Sequence, residues 1–77
     1  MKVRVLAFGQ ITDITGRSAL ELEGIADTNQ LVAQMNQRFP LLEKLQYRIA
    51  VDKNIIIENT TLENDSVVAL LPPFSGG

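Results

Sequence analysis

Ser66-Val67-Val68-Ala69-Leu70-Leu71 is apolar along almost its whole length, and it decides the fold. In a strand, successive side chains point to opposite faces, so Val68 and Leu70 form one set and Val67, Ala69 and Leu71 the other. With both sets apolar, the segment belongs in the interior of a sheet rather than at its rim. Its counterpart lies at the other end of the chain, in Lys2-Val3-Arg4-Val5-Leu6-Ala7-Phe8. There Val3, Val5 and Ala7 share one face. The other face begins charged, with Lys2 and Arg4, and ends apolar, with Leu6 and Phe8. The first and last strands are therefore expected to be the interior, mutually parallel pair.

Between them the chain reads as a small set of elements. Gly9–Gly16 reads as a connection, and Ser18–Glu23 as a second strand in which Leu20 and Leu22 alternate with Glu21 and Glu23. Thr28 is the expected N-cap of a helix, with Leu31, Met35 and Phe39 at helical spacing and Val32 beside them. Pro40 cannot continue the hydrogen-bond ladder, so the helix ends before it. Leu41, Leu42 and Leu45 are expected to form a short helical turn closing one end of the core. Arg48–Val51 reads as a third strand, Asp52-Lys53-Asn54 as a turn and Ile55–Ile57 as a short fourth strand. Leu62 is expected as a buried plug under a loop, and Asn64-Asp65 as a turn before the last strand. The order β-β-α-β-β-β places one mixed sheet on one main helix, an α+β arrangement that fits the β-grasp, or ubiquitin-like, fold.

Seventy-seven residues make one domain. Residues 1–71 are expected to form it, and 72–77 an extended tail. Without cysteine or histidine the chain has no thiolate nucleophile, no disulfide, no imidazole base and no ordinary zinc ligand set, so no metal site is expected. Asp27, Asp52, Asp65 and Glu21 are scattered without catalytic spacing, which argues against an enzyme acting alone. A net charge of −2 gives no attraction for phosphate backbones or anionic lipid, so neither nucleic acid nor membrane is an expected partner. No apolar run approaches the roughly 20 residues of a membrane helix, and Lys2 and Arg4 interrupt any signal-like start. A cytoplasmic location is expected.

The chain ends Pro72-Pro73-Phe74-Ser75-Gly76-Gly77. Two prolines hold backbone extended, so this tail should project from the sheet. Two glycines have no Cβ and pass through a channel that excludes side chains. At Gly77 stands a carboxylate, ionised at neutral pH and a poor acyl donor until a partner adenylates it with ATP. Glycine is about 7% of average composition, so a chance pair at a terminus occurs in roughly one chain in two hundred.

Leu70-Leu71-Pro72-Pro73-Phe74-Ser75-Gly76-Gly77 closely resembles the ending of the small subunit of molybdopterin synthase, in the MoaD/ThiS family of sulfur carriers. The resemblance spans the chain. Val3–Gln10 is similar to that family's first strand, Asp13-Ile14-Thr15-Gly16 to the following loop, Thr28 with Leu31 to the helix start, and Ala50-Val51-Asp52 to an Ala-Val-Asn turn. Glu63-Asn64-Asp65-Ser66 stands where the family commonly has Asp-Gly-Asp-Glu, with Asn64 expected to take the left-handed conformation of the glycine.

The resemblance implies a function. Gly77 would be adenylated by a ubiquitin-activating-type (MoeB-like) enzyme that uses ATP, and the chain itself would bind no cofactor. The terminus would then become a thiocarboxylate and donate sulfur to a cyclic pyranopterin precursor within the large (MoaE-like) subunit, the two subunits forming a heterotetramer. Catalytic side chains would come from that large subunit, with Gly76, Ser75, Phe74, Pro73 and Pro72 threading its site. The docking face is expected to be the outer side of the sheet, with Phe8, Val67, Ala69 and Leu71 and an extension onto Phe74. Three other readings stay open: a carrier for thiamin or tRNA thiolation, a protein modifier, and a β-grasp interaction module with an inert tail.

Overall fold

Alternation of Val3, Val5 and Ala7 with Lys2, Arg4 and Leu6 makes a strand with one fully buried side, β1 (Lys2–Ala7). The computed structural model describes residues 2–72. After β1 come α1 (Gln10–Thr15), β2 (Ala19–Glu23), α2 (Thr28–Arg38), a 3-10 turn (Pro40–Lys44), β3 (Arg48–Val51), β4 (Asn54–Ile56) and β5 (Val67–Leu71). The five strands form one mixed sheet in the order β2-β1-β5-β3-β4. β1 and β5 are parallel and interior, as their two-sided apolar character requires, with Val5 opposite Val68 and Ala7 opposite Leu70. β2 pairs antiparallel with β1, and β3 pairs antiparallel with both β5 and β4.

Val3, Val5, Val68 and Leu70 on the inner face, Leu31 and Met35 on α2 and Ile11 on α1 are wholly inaccessible to solvent. Each fully buried aliphatic side chain of this kind contributes about 1.5–3 kcal/mol of transfer free energy. Leu62 is the expected plug, buried to 2% exposure, and its N–H donates to Ala26 O.

Five local expectations are corrected. Gly9–Gly16 is not a bare connection but contains α1, so the sheet meets two helices rather than one. Ile11 is buried, and Gly16 caps the end in the left-handed conformation, its N–H donating to Thr12 O at 2.7 Å. The N-cap of α2 is Asp27, whose carboxylate accepts from Gln30 N at 2.9 Å, while Thr28 opens the helix itself. The Thr28 hydroxyl is engaged elsewhere. It accepts from Thr60 N at 2.9 Å and meets Asn59 Oδ1 at 3.2 Å, tying the long β4–β5 connection to the helix start. The fourth strand is Asn54–Ile56, not Ile55–Ile57, because the Asp52-Lys53 turn closes on the Val51–Asn54 pair. At the turn before β5 the left-handed residue is Asp65, with φ 68°, and not Asn64. In the 3-10 turn Leu42 enters the core, whereas Leu41 faces solvent at 63% exposure.

Candidate functional site

The inner set of β5, Val68 and Leu70, is used up by the core, which leaves Val67, Ala69 and Leu71 on the opposite side of the sheet. Register then decides what joins them. Ala69 lies between Leu6 on β1 and Ala50 on β3, and Ala50 lies opposite Ile55 on β4. Leu6, Ala69, Ala50 and Ile55 therefore cross the outer face in one row, with Val67 and Leu71 along β5 above and below. Phe8, at 45% exposure, closes the β1 side. Together these side chains line a shallow concavity of about 560 Å³ whose polar edge is Asp52 and Lys53. No helix among the described residues covers this side, and exposed, contiguous apolar patches on small domains commonly occur at association sites.

Phe8, Val67, Ala69 and Leu71 thus share one surface. Leu6, Ala50 and Ile55 belong to it too: alternation sets Leu6 on the face of Phe8, but none of the three is among the residues expected at the docking face. Ile55 could have been placed by the two-residue turn, which fixes the β3–β4 register.

The rim is held by a reciprocal pair of bonds at the hairpin tip. Asp52 N–H donates to Val67 O at 2.8 Å, and Asp52 Oδ1 accepts from Val67 N at 3.0 Å. Asp52 and Lys53 both have positive φ, 47° and 75°, as a type I′ turn requires. At the far end of β5 the chain leaves through half-buried Leu71 and Pro72, next to Gly9 at the start of α1. Pro73, Phe74, Ser75, Gly76 and Gly77 lie outside the described residues.

A second hollow, of about 620 Å³, opens between α2, the 3-10 turn and β3, with Asn36, Glu43, Gln46 and Arg48 among its walls. Burial there pushes the Tyr47 hydroxyl above its usual range. That hollow is on the helix side of the sheet, whereas the outer face is almost entirely carbon and adjoins the end of β5. Among the described residues no three acidic side chains come together as a cation site. No helix among them is long and apolar enough to cross a membrane.

Residues 5–77 match the ThiS family. The chain belongs to that family. It is 34% identical over 82 aligned positions to the molybdopterin synthase sulfur carrier subunit of Mycobacterium tuberculosis, covering 100% of this chain and 99% of that one. Among solved structures it resembles one chain in the complex of subunits 1 and 2 of molybdopterin-converting factor from Helicobacter pylori, at 32% identity and a TM-score of 0.78, covering 100% of this chain and 100% of that one. Small archaeal modifier protein 1 from Methanosarcina acetivorans superposes with a TM-score of 0.83 at 23% identity, covering 99% of this chain and 96% of that one, a likeness of fold. This member of the family is an α+β protein with the ubiquitin-like β-grasp architecture.

Proposed function

We propose that this chain is the sulfur-carrying small subunit of a molybdopterin synthase, with residues 72–77 as its working arm and Gly77 as its acting residue. The observation that carries the reading is the match to the mycobacterial sulfur carrier subunit over 100% of this chain, its Gly76-Gly77 end included. The chemistry follows from what the chain has and lacks. With no cysteine or histidine anywhere in the sequence, the group that fits a transfer role is the terminal carboxylate. Attack of that carboxylate on ATP would give an acyl adenylate and release pyrophosphate. A sulfur nucleophile delivered by the activating partner would then displace AMP and leave a thiocarboxylate. The loaded tail would enter the large subunit and give up its sulfur to the pterin precursor, with water hydrolysing the acyl–sulfur bond to restore the carboxylate. The outer face formed by Phe8, Val67, Ala69, Leu71, Leu6 and Ile55 supports docking against a partner, because it is apolar, uncovered and next to the exit at Pro72. The cycle would run in the cytoplasm, with catalytic side chains on the large subunit and the assembly a heterotetramer.

The test is intact-mass spectrometry after incubation with the activating enzyme, ATP and a sulfur source. Thiocarboxylation adds about 16 Da, the difference between sulfur and oxygen. Deleting Gly77, or adding one uncleaved alanine after it, should abolish the increment while the domain stays folded. Gly76→Val should slow loading far more than Ser75→Ala, because a β-branched side chain widens the tail where it must be thinnest. An unchanged increment in the alanine-extended chain would overturn the reading. Conjugates on lysines in place of the increment would point to a protein modifier.

A further inference from the structure

Gly9 stands at the corner where β1 gives way to α1, and two independent features demand glycine there. Its φ of 56° is in the left-handed region that side chains rarely adopt. A Cβ built on it would also lie 3.0 Å from Cγ of Pro72, when nonbonded carbons settle at about 3.5–4.0 Å. Gly16 and Gly24 have similar φ values, 75° and 73°, but nothing lies within 4 Å of a Cβ placed on either. Conformation alone explains those two. At Gly9 the space is occupied by the first residue beyond β5.

Both sides of this contact are anchored. Phe8 O accepts from Ile11 N and Gly9 O from Thr12 N, each at 3.1 Å, and Ile11 is wholly buried, so the corner cannot easily retreat. On the other side Leu70 is locked opposite Ala7 in the parallel pair, two residues before Pro72. Proline fixes its own φ near −65°, so an orientation imposed on its ring is passed to the next peptide.

We propose that Gly9 is a positioning residue for the C-terminal segment: its missing side chain is the seat of Pro72, and that seat sets where and in what direction the chain departs from the sheet. The proposal rests on the reading of Gly77 as the acting group, because only a terminus that must reach a partner's site gains from a fixed point of departure. Misplacement of a reacting group by about 1 Å costs on the order of a hundredfold in rate.

The experiment compares Gly9→Ala, Gly24→Ala, Pro72→Ala and the Gly9→Ala/Pro72→Ala double variant, each checked for folding by urea denaturation. Two readouts are taken: the amide NMR signals of Phe74, Ser75, Gly76 and Gly77, and the rate of adenylation by the activating enzyme. Gly9→Ala is expected to shift those amide signals and to lower kcat by about tenfold or more, with KM changed by less than about threefold. Gly24→Ala, which also sets a side chain at positive φ but meets no neighbour, is expected to do neither. In the Pro72→Ala background, where Cγ is gone, Gly9→Ala should add no more than Gly24→Ala does. Tail signals unmoved by Gly9→Ala, or a full Gly9→Ala effect in the absence of the proline, would overturn the proposal. A wild-type chain that no activating enzyme adenylates would sink the functional reading alone, and the amide signals would still decide the role of Gly9.

Discussion

Asp52 and Val67 hold each other twice, through a backbone N–H given by each: Asp52 N to Val67 O at 2.8 Å, and Val67 N to the Asp52 carboxylate at 3.0 Å. Fifteen residues apart, they join the β3–β4 turn to the first residue of β5, at the polar edge of the apolar outer face.

This pair makes Asp52 tolerant of one substitution and not of another. Asparagine retains an acceptor and a preference for positive φ, so Asp52→Asn should stay within about 0.5 kcal/mol of wild type. Asp52→Ala loses both and should cost about 1–2 kcal/mol. Lys53 is at positive φ too, 75°, where glycine is favoured, and Lys53→Gly should stabilise by about 0.5–1 kcal/mol. Urea midpoints of the three variants check the set, and a stabilised Asp52→Ala would contradict it.

Thr28 should prove more sensitive to losing its oxygen than to losing its methyl. Thr28→Val keeps the shape but leaves Thr60 N without its partner, at a cost of about 1–3 kcal/mol. Thr28→Ser keeps the acceptor and should cost about 0.8 kcal/mol, near the value of one buried methylene. Equal denaturation midpoints for the two variants would show that the hydroxyl bridge is unimportant.

The two faces of the sheet should separate stability from binding. Leu31→Ala opens a cavity in the core and should cost about 2–5 kcal/mol of stability. Leu71→Ala, on the outer face, should cost much less. It should nonetheless weaken association with the large subunit by at least about tenfold, as removal of a central interface side chain does. Calorimetry on folded protein distinguishes these outcomes. If Leu71→Ala unfolds the chain yet leaves affinity unchanged, the outer face is not the docking surface.

Tyr47 predicts a loss of stability on the alkaline side. Burial favours its neutral form and raises its folded pKa above the unfolded value of about 10. The folded state then holds the proton more tightly. That contribution is complete below about pH 10 and is lost as pH rises through the folded pKa. Tyr47→Phe has no such proton to lose, so its urea midpoint should fall less than wild type between pH 9 and pH 11. Parallel declines would refute the assignment.

Much of this fold was readable because its signals are strand-length and two-sided. Val67 to Leu71 could only be interior, and Arg48–Val51 matches its strand end to end. What escaped depended on partners distant in sequence. α1 is six residues long, too short to be stable by propensity, and it exists because Ile11 packs into the core. Asp27 and Thr28 are both good caps by composition. The choice between them was made by Asn59 and Thr60, which claim the threonine hydroxyl. For the site, Phe8, Val67, Ala69 and Leu71 followed from alternation along single strands. Ile55 needed the register across a turn, and Gly9 needed the parallel alignment that brings residue 72 beside it.

β5 lies at the middle of the sheet and is, among the described residues, the last strand to be synthesised. Removing it would leave two separate two-stranded ribbons, β2–β1 and β3–β4, and an isolated pair of strands is at best marginally stable in water. A nascent chain therefore cannot complete its body until residues 67–71 have emerged, by which point almost all the sequence leading to Gly77 has been made. Chains broken off earlier would offer neither the assembled outer face nor a settled core, and would be exposed to proteolysis. Central placement of β5 thus makes completion of the folded body depend on residues 67–71, which directly precede the segment carrying Gly77.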